Sequence, residues 1–181
     1  MAYGQLTEDQ EKALTPYLNV PVVMDLGCGN LELAYRLVKL GASSVIGIDK
    51  ARATPDKRYP EVVFVQTEFR YWPLKIHTAF VSWPHNILDE YLLHIVQNTS
   101  VVMYLGSNIE GSACGDPTLF KHLCSREVLV HVPDPQNSLI VYGSRLKEPR
   151  RHLPEEFAGI KQDKIWHYAE LLERPLPYAA Y

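Results

Sequence analysis

Short apolar runs alternate with amphipathic segments through the first 146 residues of this chain. Five of these runs have the length and composition of buried strands: residues 22–26, 44–49, 62–67, 78–82 and 100–105. Between the first two, Leu33, Leu37 and Leu40 recur at helical spacing until Gly41, as expected of a helix with one buried side. Strands that alternate with helices predict a parallel sheet covered on both faces.

Two more apolar runs, residues 127–132 and 138–144, close this region. The five residues between them are enough for an antiparallel connection but too few for the crossover that a parallel pair needs. The predicted fold is therefore α/β, a doubly wound, mostly parallel, seven-stranded sheet with a C-terminal antiparallel hairpin and helices on both faces.

Polar residues indicate where helices begin. Thr7 with Gln10 fits a capping box, which predicts an N-terminal helix within residues 1–20. Asn30 is the predicted N-cap of the second helix, and Asn86 that of a later helix that runs to about residue 97.

The character of the chain changes at Lys147, so residues 1–146 are predicted to form one domain and residues 147–181 an accessory segment. Helical spacing predicts a helix over residues 163–173, followed by an irregular tail that contains two prolines. We expect this helix to pack on the domain. A lid or a partner-binding segment is the alternative.

The most informative segment joins the first two predicted strands. The first strand ends in Asp25, the tight turn Gly27-Cys28-Gly29 follows, and the second strand ends in Asp49. Such a β-α-β unit binds a nucleoside, because the glycines let a ligand approach the backbone and the carboxylate accepts hydrogen bonds from ribose hydroxyls.

Three kinds of ligand use units of this type. A P-loop needs a lysine and a serine or threonine directly after its glycines, and neither is present here. A dinucleotide-binding turn has a third glycine where this chain has Glu32, whose charge would repel a diphosphate at a helix N-terminus. S-adenosylmethionine carries no phosphate, and its ammonium group suits Asp25. Methyl transfer is therefore the leading interpretation.

Two segments resemble motifs I and II of the class I S-adenosylmethionine-dependent methyltransferases: Asp25-Leu26-Gly27-Cys28-Gly29-Asn30 and Gly47-Ile48-Asp49-Lys50. The resemblance implies that Asp25, Gly27, Cys28 and Gly29 lie at the methionine part of the cofactor. It further implies that Asp49 binds the ribose, with Lys50 beside it. The family often has a glycine at the position that Leu31 occupies here.

The same resemblance assigns roles to residues after the third and fourth strands. Glu68 and Phe69 would flank the adenine, although a strand-end charge and a core phenylalanine explain them equally well. Ser82, Trp83 and His85 stand where the family places its substrate-facing motif, and they are the candidate catalytic residues.

In family members that methylate amino nitrogens, this motif is Asn, Asp or Ser, then two prolines and an aromatic residue. Here Ser82 and Pro84 match, Trp83 replaces a proline, and His85 holds the aromatic position. His85 could act as a general base, because histidine has an ordinary pKa of about 6.5. A plain loop residue remains the alternative for His85, and a core residue for Trp83.

Composition narrows the possible partners. A net charge of −3 gives no broad basic field, so no extended nucleic-acid footprint is expected. The three cysteines form neither a disulfide set nor a metal-binding pattern, and no metal site is predicted. The sequence shows no secretory signal and no membrane-spanning apolar run, so we expect a cytoplasmic protein that does not enter a membrane.

The sequence therefore predicts an enzyme that transfers a methyl group from S-adenosyl-L-methionine to an unidentified acceptor. The acceptor could be a small molecule, an amino nitrogen or a nucleobase. The alternative is a methyltransferase-like binding protein that acts through a partner. A nicotinamide-dependent oxidoreductase is disfavoured by Glu32 and by the terminal hairpin.

Overall fold

The computed structural model describes residues 5–69, 76–84, 90–106, 119, 122–123, 125–134 and 137–146. Seven strands form one sheet: β1 (Val23–Leu26), β2 (Val45–Asp49), β3 (Val62–Gln66), β4 (Thr78–Ser82), β5 (Val101–Gly106), β6 (Arg126–Val132) and β7 (Ser138–Arg145). The helices with described bounds are α1 (Glu8–Leu14), which continues into a 3₁₀ turn (Thr15–Tyr17), α2 (Glu32–Lys39) and α3 (Glu90–Gln97). All seven predicted strands are present.

The strand order is β3-β2-β1-β4-β5-β7-β6. Strands β1 to β5 are parallel, and β7 runs antiparallel to both of its neighbours. The predicted fold is confirmed, including its terminal hairpin. The chain proceeds outward from β1 to β3 and then continues on the other side of β1 with β4. In open α/β sheets, ligands bind at the carboxyl ends of the strands at such a reversal.

Local polar residues explain where the first helix begins. The Thr7 hydroxyl accepts a hydrogen bond from the Gln10 backbone N–H at 3.3 Å, and the Gln10 side-chain oxygen accepts one from the Thr7 N–H at 3.0 Å. This reciprocal pair is a capping box, as predicted, and it satisfies two backbone donors at the start of α1.

The predicted cap of α2 is wrong by one residue. The N-cap is Leu31, which adopts a left-handed conformation with a φ of 69° and makes no side-chain cap hydrogen bond. Asn30 still contributes to the helix start, because its side-chain oxygen accepts a hydrogen bond from the Glu32 N–H at 3.2 Å. The other end matches the prediction, since Gly41 stops the helix with a φ of 110°.

The sheet separates two hydrophobic clusters. Met24 and Leu26 of β1 belong to the cluster that includes α3, whereas Val23 belongs to the cluster that includes α1 and α2. Successive side chains of a strand point to opposite faces, so Asp25 shares the face of Val23. The sequence thus places a carboxyl group on the α1–α2 face of the sheet.

Arg126 is a buried cation that ties together α3, the segment between α3 and β5, and β7. Its guanidinium donates hydrogen bonds to the backbone carbonyls of Val96 (2.9 Å), Thr99, Ser100 (3.2 Å) and Gly143 (2.7 Å). Burial, more than the nearby charge of a second arginine, lowers its pKa to about 10. The group therefore stays charged at neutral pH and keeps all its donors.

Some predictions concern residues outside the described ranges. These are the cap at Asn86 and the accessory segment of residues 147–181 with its helix over residues 163–173. The helix expected after Asn86 ends at Gln97 as α3, in agreement with the sequence. Within the described ranges, no helix is long and apolar enough to span a bilayer.

Candidate functional site

A cavity of about 550 Å³ opens at the carboxyl ends of β1 and β4, where the strand order reverses. This volume is in the range of pockets that bind small molecules and cofactors. The described walls come from the turn after β1, the first turns of α2, the end of β4 and the segment around α1.

The glycine turn forms one wall. Gly27 and Gly29 have φ angles of 77° and 54°, in the left-handed region that favours glycine. A Cβ atom at either position would meet nothing within 4 Å, so the backbone conformation rather than crowding requires the glycines. The N–H groups of Gly27 and Cys28 donate to the carbonyl of Ile48 at 2.8 and 3.1 Å, which fastens the turn to β2.

Asp49 holds the turn through its side chain. One carboxylate oxygen accepts a hydrogen bond from the Gly29 N–H at 3.0 Å, and the other accepts one from the Ala51 N–H at 2.8 Å. A carboxylate oxygen can accept more than one hydrogen bond, so Asp49 retains capacity for a ligand hydroxyl.

Asp25, which precedes the glycine turn, has an environment that is unusual for a carboxyl group. Its side chain is 1% exposed, and neither carboxyl oxygen has a hydrogen-bond partner in the described part of the chain. Burial first, and the charge of Asp49 second, raise the pKa of Asp25 to about 7. A buried carboxylate without a partner is unfavourable, so a cationic or hydrogen-bond-donating ligand would stabilise the ionised form.

Cys28 does not have the properties of a nucleophile. It is buried, and burial together with the charges of Asp25 and Asp49 raises the pKa of its thiol to about 12. The reactive thiolate is therefore scarce near neutral pH. A second cysteine considered from the sequence, Cys114, lies outside the described residues.

Close packing beside Asp25 depends on Gly47, its register partner on β2. A Cβ on Gly47 would lie 2.6 Å from a methyl carbon of Leu31 and 2.8 Å from the sulfur of Cys28. Leu31 is completely buried despite its left-handed backbone. The large side chain at position 31 therefore fits because β2 carries no side chain at position 47.

Ser82 and Trp83 form the wall at the end of β4. Trp83 has a φ of 46°, which is uncommon for a residue other than glycine. Its backbone N–H donates to the Leu105 carbonyl at 2.8 Å, and its indole N–H donates to the Asn137 side-chain oxygen at 2.8 Å. His85, the third candidate catalytic residue, lies outside the described residues.

The segment around α1 supplies a wall that the sequence does not reveal. Gln5, Leu6 and Glu11 face the cavity, as do Glu32 and Arg36 of α2. The Arg36 guanidinium donates a hydrogen bond to the Glu11 carboxylate and so links the two helices. Glu32 and Arg36 are four residues apart, a spacing that places both on one side of α2 and could have identified them. Nothing in the sequence marks Gln5, Leu6 or Glu11.

Asp25 and Asp49 lie behind and beside the glycine turn and do not belong to the described walls of the cavity, and neither do the remaining candidate residues, which lie towards β3. The Thr67 N–H donates to the Asp49 carbonyl at 3.0 Å, which brings the end of β3 next to that of β2. Glu68 and Lys50 are exposed, and Phe69 packs partly buried against the cluster on the α3 face.

Sequence comparison identifies one curated relative. No protein-family model matches the chain. It is 30% identical over 128 residues to the mitochondrial ubiquinone biosynthesis O-methyltransferase of Dictyostelium discoideum. The match covers 70% of this chain but only 32% of that protein, so the chain spans about a third of the relative's length.

Solved structures share the architecture more widely. One is the 1,6-didemethyltoxoflavin-N1-methyltransferase of Burkholderia thailandensis with bound S-adenosylhomocysteine. It has 15% identity and a TM-score of 0.57, and the match covers 76% of this chain and 77% of that chain. Another is a ribosomal protein L11 methylase from Lactobacillus delbrueckii, with 18% identity, a TM-score of 0.51 and coverage of 81% and 82%. At these identities the likeness establishes a common fold.

Proposed function

We propose that this chain, which has the fold of the class I S-adenosylmethionine-dependent methyltransferases, binds S-adenosylmethionine and transfers its methyl group to an acceptor. The main support is Asp25, a buried carboxyl beside the glycine turn that has no hydrogen-bond partner in the described residues. A ligand with an ammonium group would supply that partner. A fold alone does not define an activity, so the proposal depends on these residues.

The residues around the cavity fit this cofactor better than a phosphorylated one. The turn has no lysine, and Glu32 stands at the first position of α2, where a pyrophosphate would otherwise bind. S-adenosylmethionine has no phosphate, so Glu32 is compatible with it. We assign the methionine part to Asp25, Gly27, Cys28 and Gly29.

The ribose and adenine are assigned to residues at the ends of β2 and β3. Asp49 would accept hydrogen bonds from the ribose hydroxyls, with Lys50 next to it. Glu68 and Phe69 would flank the adenine, which is consistent with the contact between Thr67 and Asp49. These assignments follow the family resemblance.

The acceptor is assigned to the side of the cavity formed by Ser82 and Trp83. When bound, the cofactor supplies an electrophilic methyl group, so the protein mainly has to align the acceptor and exclude water. An indole ring offers a flat surface on which a planar acceptor can stack. His85, three residues after Ser82, remains the candidate general base.

The class of acceptor is inferred from the curated relative and from the charge of the chain. The curated relative is an O-methyltransferase, which favours an oxygen atom as the methylated group. A net charge of −3 argues against an acceptor that needs a large basic surface, such as a long nucleic acid.

Ligand-dependent thermal unfolding tests the cofactor. S-adenosylhomocysteine at 100 times its Kd should stabilise the folded protein by about 2.7 kcal/mol, because it binds only the folded state. NAD and ATP at the same concentration should leave the melting temperature unchanged. Asp49→Ala should weaken S-adenosylhomocysteine binding by about 1–3 kcal/mol in calorimetry, through loss of its hydrogen bonds.

The controls distinguish the alternatives. Asp9→Asn changes an exposed acid of α1 and should leave binding unchanged. Stabilisation by NAD instead would support the oxidoreductase. Tight binding of S-adenosylhomocysteine without methyl transfer to any of a broad set of hydroxyl and amino acceptors would support the binding protein.

A further inference from the structure

Asn137, in the connection between β6 and β7, joins two walls of the cavity. Its side-chain oxygen accepts the hydrogen bond from the Trp83 indole at 2.8 Å, and its side-chain nitrogen donates to the Gln5 carbonyl at 2.7 Å. Its backbone carbonyl accepts a hydrogen bond from the Gln10 side chain at 2.6 Å, and its backbone N–H donates to Asp134 at 2.8 Å. One residue thus connects the hairpin loop, the end of β4 and the segment that leads into α1.

We infer that Asn137 is a positioning residue that fixes the acceptor side of the cavity by holding Trp83 and the Gln5–Leu6 segment at a set separation. The inference rests on the proposed function, since it gives a role to the wall that we assign to the acceptor. Nothing in the sequence around Asn137 identifies it, because its partners lie 54 and 132 residues away along the chain.

Trp83 requires such support because its backbone has an unfavourable conformation. A φ of 46° is strained for a residue with a side chain, and strained residues persist only where surrounding contacts fix them. The backbone N–H is held by Leu105, and the ring is held at its nitrogen by Asn137. Loss of the Asn137 contact would remove this hydrogen bond from the partly buried indole N–H.

The opposite wall, formed by Gln5 and Leu6, also depends on Asn137. Gln5 and Leu6, which line the cavity, precede the capping box of α1. Gln10 belongs to this capping box and also contacts the hairpin loop. Its side-chain oxygen accepts from the Thr7 N–H, while its side-chain nitrogen donates to the Asn137 carbonyl. Gln10 is completely buried, so these contacts are shielded from water. The start of α1 is therefore anchored to the hairpin loop.

The side-chain amide of Asn137 provides both contacts at once, an acceptor oxygen and a donor nitrogen. An indole N–H can only donate and a backbone carbonyl can only accept, so the two partners fix which amide atom faces which wall. Aspartate would keep an acceptor for Trp83 but would present an oxygen to the Gln5 carbonyl. Leucine has a similar size and can make neither contact. These two substitutions therefore separate the two walls.

Fluorescence of Trp83 provides the test. In a Trp72→Phe, Trp166→Phe background, Trp83 is the single tryptophan, and quenching by acrylamide measures its access to solvent. Asn137→Leu should raise the quenching constant of Trp83 by about twofold or more, because the ring loses its polar contact. Asn137→Asp should raise it less. Both substitutions should speed amide hydrogen exchange over residues 5–10, where the Gln5 contact is lost.

S-adenosylhomocysteine binding distinguishes failure of this inference from failure of the proposed function. Both Asn137 variants should bind it within about twofold of the parent, because Asp25 and Asp49 are not contacted by Asn137. If the parent binds S-adenosylhomocysteine but Trp83 quenching is unchanged in Asn137→Leu, the inference is wrong. A tenfold loss of binding in both variants would also overturn it. If the parent itself does not bind, the proposed function is wrong.

Trp83→Phe keeps the inference testable if Asn137→Leu does not fold. Phenylalanine lacks the ring N–H, so it breaks the same contact and leaves the hairpin loop unchanged. Because the Gln5 contact survives, hydrogen exchange over residues 5–10 should remain at the parent rate. Faster exchange there would show that Trp83, rather than Asn137, holds the segment and would contradict the inference.

Discussion

Asp25 places an ionisable group on a sheet face where its neighbours are mostly apolar. Burial and the charge of Asp49 raise its pKa from 3.8 to about 7, so the folded protein binds this proton more tightly than the unfolded chain does. Between these two values, raising the pH ionises Asp25 more readily in the unfolded state. The contribution of Asp25 to stability is therefore complete below pH 4 and is lost as the pH rises towards 7.

Asp25→Asn should remove this pH dependence in the ligand-free protein. The wild type should lose stability relative to the variant by about 1.4 kcal/mol for each pH unit in the middle of the window. Denaturant unfolding of both proteins at several pH values between 4.5 and 7.5 measures the difference. Asp9→Asn, a matched change at an exposed position, should keep the wild-type slope. A variant slope equal to that of the wild type would show that Asp25 titrates normally.

Among the elements, the start of α2 shows which features a local sequence pattern can predict and which it cannot. Gly27, Gly29 and Gly41 are readable from the sequence, because the turn and the helix end need left-handed φ angles. The cap at Leu31 is not, since a buried leucine with positive φ is stabilised by contacts from β2 that are distant in sequence. Propensity favours Asn30 as the cap, and tertiary packing moves it by one residue.

Gly47→Ala tests this packing. The new methyl group would collide with Leu31 and Cys28, and overpacking of this kind destabilises by about 1–3 kcal/mol. Leu31→Ala alone should cost about 2–5 kcal/mol through the cavity that it leaves. In the double variant the collision with Leu31 is removed and only that with Cys28 remains, so the combined loss should be smaller than the sum by about 1 kcal/mol or more.

A second glycine gives the matched control for that double-mutant cycle. A Cβ on Gly143 would lie 3.2 Å from the side chain of Leu129, which is 38% exposed and free to shift outward. Gly143→Ala should therefore cost less than about 1 kcal/mol in the same denaturant titration. Strictly additive losses for Gly47→Ala and Leu31→Ala would show that the two residues do not compete for one space.

At the scale of the whole molecule, the sequence predicts most of the sheet but not the side-chain contacts that connect its strands, helices and loops. Seven apolar runs and the short gap at residues 133–137 predict the strands and the hairpin, because burial and chain length act locally. Arg126 and Asn137 escape prediction, because each acts through backbone carbonyls or side chains that only the complete fold brings together. The same holds for the candidate site: the sequence predicts the glycine turn but not the wall formed by the segment around α1.

Arg126→Met should test how far the molecule depends on such a cross-connection. Several carbonyls of α3, of the segment between α3 and β5, and of β7 would lose their donor, with an expected cost of about 3–5 kcal/mol. Thermal unfolding measures this loss, and S-adenosylhomocysteine affinity of the folded variant should be unchanged. Arg145→Met, at an exposed position on β7, should shift stability by less than about 0.5 kcal/mol. Equal losses of stability in the two variants would show that the hydrogen bonds of Arg126 do not stabilise the fold.

Strand β7 runs against the direction of β5, and Ser138 at its beginning pairs with Gly106 at the end of β5. In an all-parallel sheet, residues that precede a strand lie at the rim opposite the ligand. Because β7 is reversed, Asn137, which directly precedes it, lies instead at the rim formed by the carboxyl ends of β4 and β5. If the proposed methyl transfer is correct, exchange of the five hairpin residues 133–137 should change the preference for the acceptor and leave the glycine turn, about a hundred positions earlier in the chain, unaltered.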